Sequence, residues 1–389
     1  MLYLVVAFLQ NVKILMEEKV KIMKKIVSLL LVLVLAIGTM GIFAACSSTY
    51  EIALITDVGN IDDKSFNEGA WNGVKEYAEA NGVSYAYYRP IEDSTEARMN
   101  TIKTAITKGA KMIVCPGYMF QDAIYNLQDE YPDIDFLFLD GEPNDNDWSS
   151  GFPTYKTSSN VHCILYKEDQ AGYLAGYAAV MDGYRKLGFM GGMDVPAVVR
   201  FGHGYVQGAE DAAEELGLEP GDIEIKYTYV GSFGPSDDIK TKAGGWYTSG
   251  TEVIFSCGGG IYLSITAAAA EAGKDVIGVD VDQFAATGNT TFITSAMKGL
   301  TVTTVQALTA YYNNDKAWPT DRAGKTFNLG VKEDAVGLPT DAASWRFATY
   351  TVEEYTTLYN AMVAGTVVVN VSSTGGEIPA TTIVNVIED

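Results

Sequence analysis

Between Glu51 and Asp140 short apolar runs alternate with amphipathic segments, and this alternation restricts the fold more than any other feature of the chain. Strands are expected at Ile52–Thr56, Ser84–Tyr88, Met112–Cys115 and Phe136–Asp140. Helices are expected at Ser65–Ala80, Thr95–Lys108 and Gln121–Glu130; Phe66, Ala70, Val74 and Tyr77 recur at helical spacing in the first. Ser65 is a good N-cap residue, and Gly82 and Gly109 stand where helix C-termini fall. Alternation at this spacing implies an α/β fold with a parallel, doubly wound sheet and right-handed crossovers. Such sheets hold ligands beyond the carboxyl ends of their strands, which puts Asp57 and Phe66 where a ligand would lie.

Residues 141–159 are rich in Asn, Asp, Ser, Gly and Pro and read as a surface loop. Asn160-Val161 reads as a short strand, and Glu168–Met181, EDQAGYLAGYAAVM, as a helix whose Gly172, Ala175, Gly176 and Ala179 permit close approach of another element. A second α/β series follows: strand Lys186–Gly191, helix Gly204–Leu216, strand Ile223–Val230, helix Asp237–Thr248, strand Val253–Ser256, helix Ile261–Ala272 and strand Val276–Val279. Strand Phe292–Ser295 and helices Val302–Tyr312 and Val352–Ala364 then return to complete two lobes. We expect lobe one at 51–160, completed by about 281–325, and lobe two at 161–280, completed by about 340–389. The chain is expected to cross between them near Ser159–Glu168, near Asp280–Asp282 and within Asp315–Arg346. Two lobes joined in this way close over a ligand by hinge motion.

The stretch TDVGNIDDKSFNEGAWNG, with its Asp, its Gly, its Asp-Lys-Ser-Phe-Asn block and the following Gly, resembles the opening signature of the basic membrane lipoprotein family. These are substrate-binding lipoproteins of ABC importers and include purine nucleoside receptors. The resemblance continues in KLGFMGGMDVPAVVRFGHGYVQGAEDA, VIFSCGGG, VIGVDVDQ and TSAMKG, and covers about Glu51 to Val369. It implies a bilobed type I periplasmic-binding-protein fold, two doubly wound parallel-sheet lobes joined by a hinge. It also implies a purine nucleoside as ligand and an ABC permease as partner. The alternatives are another small molecule on the same fold (a pyrimidine nucleoside, a sugar or a metabolite), or a surface lipoprotein engaged in adhesion or signalling.

Residues Ile26 to Ala45 are almost continuously apolar, preceded by Lys24 and Lys25 and followed by Cys46-Ser47-Ser48. A basic start, an apolar run and small residues before a cysteine describe a secretory signal peptide, residues 1–45, better than a membrane anchor. Ala44-Ala45-Cys46 resembles a bacterial lipobox, with Phe43 where Leu is usual. Cys46 is then the lipidation site and 46–50 a tether that holds the protein to the extracytoplasmic face of the cell membrane. Translation is expected to begin at Met23, since residues 1–22 sit poorly ahead of a signal peptide. The net charge of −22 argues against nucleic acid as a partner, because phosphate binding needs clustered Lys and Arg. Cys115, Cys163 and Cys257 lie in or beside apolar runs and read as buried free thiols.

Two histidines, His162 and His203, are too few for a metal cluster or a histidine acid/base pair, and read as packing or loop residues. No phosphate-binding GxxxxGK[ST] loop and no GxSxG elbow occurs. We therefore expect no enzyme, no catalytic residue, no cofactor and no metal. For binding, Phe66 reads from the residues alone as core of its helix; the resemblance makes it a base-stacking face. Asp57 either caps its loop or accepts from a base amino group, and Asn67 flanks the pocket. Asp62 and Asp63 read as favourable charges at the helix N-terminus. Tyr118 follows the third strand and lines either the pocket or the surface. Asp140 organises the hinge. In lobe two, Phe233 offers the second ring face, and Gly258 and Gly259, with Tyr262 beyond them, form either a tight turn or a backbone cradle for ribose. The resemblance implies that Asp280 and Lys298 hold ribose hydroxyls; a structural salt bridge is the other reading.

Overall fold

The computed structural model describes residues 8, 9, 13, 15–25, 49–369 and 377–389. Within 1–48 the described residues are all helical; the apolar run and Cys46 lie outside the described residues. Among those described, no helix is long and apolar enough to cross a membrane.

Residues 49–389 carry two sheets. The first is built from β1 (Ile52–Ile55), β2 (Tyr85–Tyr88), β3 (Met112–Pro116), β4 (Asp135–Leu139) and β5 (Val161–Tyr166). Helices α1 (Phe66–Asn81), α2 (Thr95–Thr107) and α3 (Gln121–Glu130) connect the first four strands, as the sequence pattern predicts. After α4 (Glu168–Met181) the second sheet begins. It takes β6 (Lys186–Gly191), β7 (Ile223–Tyr229), β8 (Val253–Cys257), β9 (Asp275–Asp280) and β10 (Phe292–Lys298), connected through α5 (Pro196–Glu215), α6 (Asp237–Thr248), α7 (Tyr262–Ala272) and the short α8 (Gln283–Thr287). Helix α9 (Leu300–Tyr312) and β11 (Lys325–Leu329) return to the first lobe. The chain finishes with β12 (Val336–Gly337), α10 (Val352–Ala364) and β13 (Val384–Glu388).

Strand order is β11-β5-β4-β3-β1-β2 in one sheet and β12-β10-β9-β8-β6-β7-β13 in the other. All neighbours are parallel except β12 on β10. The central strands are buried on both faces, as covered parallel sheets require; β1 and β3 are wholly apolar and buried throughout.

Three expectations change. β5 runs for six residues and pairs with β4 and β11, so the first lobe extends to Tyr166 instead of ending at 160, while the first crossing, Tyr166–Glu168, stays inside the expected Ser159–Glu168. β10 pairs with β9, so the second crossing is not at Asp280–Asp282 but at Lys298–Leu300. Residues 281–298 therefore stay with the second sheet. The third crossing, between β11 and β12, falls inside the expected interval. Helix α5 starts at Pro196 rather than Gly204; proline suits the first helical turn because its missing N–H has no intrahelical partner there.

The small-residue helix does what its composition implies. A Cβ on Gly172 or Gly176 of α4 would lie 2.0 and 2.1 Å from the carbonyl oxygens of Phe201 and Tyr205 on α5. The contact is reciprocal: a Cβ on Gly204 or Gly208 would lie 2.0 Å from the carbonyl oxygens of Asp169 and Tyr173. The two backbones touch. Cys115, Cys163 and Cys257 are buried free thiols.

Candidate functional site

The cleft lies between the carboxyl ends of the strands of both sheets and encloses about 60 Å³ as the lobes stand, so a drug-sized ligand enters only when they part. Asp57, Phe66, Asn67, Tyr118, Phe233, Gly258, Gly259, Asp280 and Lys298 all line it. Tyr262 does not: its ring is buried in the second lobe's core against Phe292, 5.9 Å between centroids. A tyrosine opening a helix below a glycine turn looks the same in sequence whether it faces the cleft or the core.

On the first lobe, α1 carries Phe66 at its first residue. The helix is capped by Asp63, not by Ser65: the Asp63 carboxylate accepts from the backbone N–H groups of Ser65, Asn67 and Glu68 at 2.9–3.1 Å. The Ser65 hydroxyl is thereby free to reach across the cleft, donating to Asp280 Oδ2 at 2.5 Å. Asn67 has no N–H to spare. Its Nδ2 donates to Asp57 Oδ1 and Asp63 Oδ2, and its Oδ1 accepts from the Asp57 backbone. Asn67 is a positioning residue. With Gly59 N–H it fixes Asp57 Oδ1, while Oδ2 faces Gly117, whose lack of a side chain leaves that oxygen approachable. Burial raises the Asp57 pKa, against the pull of the bonds from Asn67 and Gly59.

On the second lobe, the glycine turn makes room for Phe233. A Cβ on Gly192 or Gly258 would lie 2.5 and 2.9 Å from the Phe233 ring, and Gly258 sits at φ 146, where a side chain is strained. Gly260 N–H is already taken by the Phe233 carbonyl at 2.7 Å. The triplet seats a ring.

At the base of the cleft the two sheets present matching strand ends. Asp140 follows β4 and Asp280 ends β9, and both stand in the left-handed region, at φ 65 and 67. Non-glycine residues held there concentrate at functional sites. Between them lies Lys298, which is 5% exposed. Its Nζ bonds Asp140 Oδ2 at 2.5 Å and lies 3.4 Å from Glu168 Oε1 and 3.7 Å from Asp280 Oδ1. It is also 4.6 Å from the centre of the Phe66 ring and within 5.6 Å of Phe201 and Tyr166, distances at which an ammonium is attracted to ring faces. Burial works against the ammonium, but the three carboxylates outweigh it and hold Lys298 well above its ordinary pKa. Glu168, fully buried, is held below its ordinary value despite burial, by Arg200 at 2.6 Å and by Lys298. Burial pushes Asp140 up to about 7, and raises Asp280 against Lys298 and Ser65. Asp140 Oδ1 is buried with no partner among the described residues. Glu168, Arg200 and Phe201 were not singled out in the sequence; a buried charge network leaves no local signature when its members come from three separate elements.

Lys298 is held by helix packing as well as charge. It immediately precedes α9, and α9 packs on α1, where a Cβ on Gly73 would lie 2.7 Å from the Thr301 carbonyl oxygen and Thr301 Oγ1 donates to the Gly69 carbonyl. The helix that offers Phe66 and the strand end that offers Lys298 are thus docked together.

The Bmp family, described as ABC transporter substrate-binding protein PnrA-like, matches residues 51–372. The chain belongs to this family. It is the substrate-binding component of an ABC transporter, and its partners are a small-molecule ligand and a permease. Families of this kind bind solutes rather than convert them. Among relatives, the chain is 29% identical over 274 residues to the ABC transporter nucleoside-binding protein BmpA of Lactococcus lactis, covering 64% of this chain and 72% of that one. It is 30% identical over 295 residues to basic membrane protein A of Borreliella burgdorferi, covering 74% and 78%. A solute-binding protein of an ABC transporter system from Aeropyrum pernix shares the fold at TM-score 0.65 and 22% identity, over 81% of this chain and 86% of that one. One from Conexibacter woesei does so at TM-score 0.62 and 20% identity, over 82% and 98%. The fold is the bilobed type I periplasmic-binding fold.

Proposed function

We propose that the protein captures a purine nucleoside between its lobes and delivers it to the permease. One observation carries this reading: apart from Lys298, the charged groups around the cleft are acceptors, and they stand beside two aromatic rings. The Asp57 Oδ2, Asp140 Oδ1 and Asp280 oxygens ask for a ligand rich in O–H and N–H donors, while Phe66 and Phe233 ask for a flat one. Asp57 takes the base edge, the rings take its faces, and Asp280, Asp140 and Lys298 take the ribose hydroxyls. A ring contact adds about 0.5–1.5 kcal/mol beyond burial. The Lactococcus lactis relative is named for nucleoside binding, which favours the same class. Closure swings the second lobe onto the first about the three crossings.

The protein is tethered outside the cytoplasm through lipid on Cys46. A single acyl chain holds a protein only marginally, so stable tethering takes more than one. Cys46→Ser should release the protein from the membrane fraction.

The test of the ligand is a thermal-shift titration of the chain from Ser47 onward, refolded to remove carried-over solute, against nucleosides, bases and sugars. Linkage predicts about 2.7 kcal/mol of stabilisation at a ligand concentration about 100 times Kd. Stabilisation by purine nucleosides, lost in Asp57→Ala and Phe66→Ala, is expected. A panel in which only sugars or pyrimidine nucleosides stabilise would sink the reading.

A further inference from the structure

A second pocket lies at the hinge, away from the cleft mouth, and its charge is opposite to that of the molecule. The chain carries a net charge of −22, yet Lys167, Arg200 and Lys332 line this one pocket together with the amides of Gln170 and Asn328. Lys167 stands in the first crossing between lobes, and Lys332 in the third. The two lysines are neighbours through Gly330: a Cβ there would lie 2.7 Å from Lys167 Cδ, two residues from Lys332. Arg200 is committed to Glu168, whereas neither lysine makes an ion pair among the described residues. The one carboxylate in the pocket wall, Asp169, has its pKa raised to about 6 by burial and by neighbouring Glu168. Lys167 is half-buried and Lys332 exposed, so both can turn their ammonium groups toward an ion in the pocket, and the strongest partner for two such donors is an oxyanion accepting charge-assisted bonds from both.

We propose that this pocket is a binding site for a small tetrahedral oxyanion of the phosphate or sulfate type, held by Lys167 and Lys332. The ion would tie the first and third crossings to each other. It would also lie two ion pairs from the cleft, Arg200 to Glu168 and Glu168 to Lys298, so its occupancy bears on lobe closure. The site does not depend on which solute the cleft takes.

Isothermal titration of the ligand-free protein with inorganic phosphate, at ionic strength held constant with sodium chloride, tests this. Saturable one-site binding is expected, competed by sulfate and not by chloride. Lys167→Gln and Lys332→Gln should each weaken it by about tenfold or more, since one charge-assisted bond corresponds to at least that factor, while Lys274→Gln, which does not line the pocket, should leave it unchanged. Phosphorus NMR line broadening, competed by sulfate, gives a second reading on the unmodified protein. Absence of saturable binding overturns the proposal. So does phosphate binding that is indifferent to both lysines but displaced by a nucleoside, which would put the ion in the cleft.

Discussion

The hydroxyl of Ser65, just ahead of α1 in the first lobe, donates to Asp280 Oδ2, at the end of β9 in the second. Beside it Gln283 Nε2 donates to the Lys64 carbonyl at 3.0 Å. These bonds exist only when the lobes are together. A hydrogen bond to a charged group contributes about 1.5–3 kcal/mol and a neutral one about 1 kcal/mol. Ser65→Ala should therefore shift the ligand-free protein toward the open form, and Gln283→Ala should do so more weakly. Small-angle scattering checks this through the radius of gyration; a Ser65→Ala protein as compact as the parent would contradict it.

Lys298→Met should be costly to the fold itself. It leaves Asp140, Glu168 and Asp280 facing each other with Arg200 alone, and breaking a buried charge network costs about 3–5 kcal/mol. The deficit should depend on pH with a defined sign. A carboxyl whose folded pKa is raised binds its proton more tightly in the folded chain. Its contribution is complete below the unfolded value of 3.8 and lost as pH rises through the folded value, about 7 for Asp140 in the parent. Without Lys298 these carboxyls rise further, so the variant's deficit should be larger at pH 8 than at pH 5. Urea melts of both proteins at the two pH values decide it; equal deficits would refute the account.

The periodic elements could be read from the sequence because parallel-sheet strands such as Met112–Pro116 are continuous apolar runs and their helices keep one apolar face. Asp57, Phe233 and Asp280 were legible because each stands at or just beyond the carboxyl end of a strand, whereas Phe66 reads as helix core and was singled out by the family resemblance. What the sequence concealed were choices between partners. Asp63 and Ser65 can both cap α1, and only the proximity of Asp280 settles that Ser65 looks outward. The chain could have crossed between lobes at either end of β10, since Asp280–Asp282 and Lys298–Leu300 both follow apolar strands. Glu168 and Arg200 carry no sign of their pairing in the sequence, because it depends on the contact between α4 and α5 and Arg200 lies ahead of the helix expected from Gly204.

His162 supplies a pH dependence of the opposite sense. It is fully buried, with ring centroids of Trp318 and Phe327 at 5.1 and 4.8 Å. Its Nδ1–H donates to the Lys325 carbonyl at 3.0 Å, and Nε2 faces Arg322. Burial pulls its pKa down to about 4. The unfolded chain, with an ordinary value of 6.5, takes up the proton first, so this stability is complete above 6.5 and lost as pH falls through 4. The loss is on the order of 3 kcal/mol for a shift of this size. His162→Phe should melt with a flatter pH dependence between 6.5 and 4 than the parent; an unchanged slope would assign the acid sensitivity elsewhere.

The contact between α4 and α5 predicts a contrast between two glycines. At Gly204 a methyl group would meet the Asp169 carbonyl at 2.0 Å, and backbone of a packed helix cannot move aside as a side-chain tip can. Gly204→Ala must push the helices apart, at about 1–3 kcal/mol or more. It would also move Glu168 on α4 from Arg200 on α5, loosening Lys298. Gly245, within α6, has nothing within 4 Å of its would-be Cβ and an ordinary helical backbone. Gly245→Ala removes only backbone freedom from the unfolded chain and should stabilise by about 0.5–1 kcal/mol. Melting temperatures should therefore move in opposite directions for the same chemical change, with ligand affinity falling only in Gly204→Ala. If Gly204→Ala melted with the parent, the backbone contact that aligns Glu168 with Lys298 would not be as close as the structure has it.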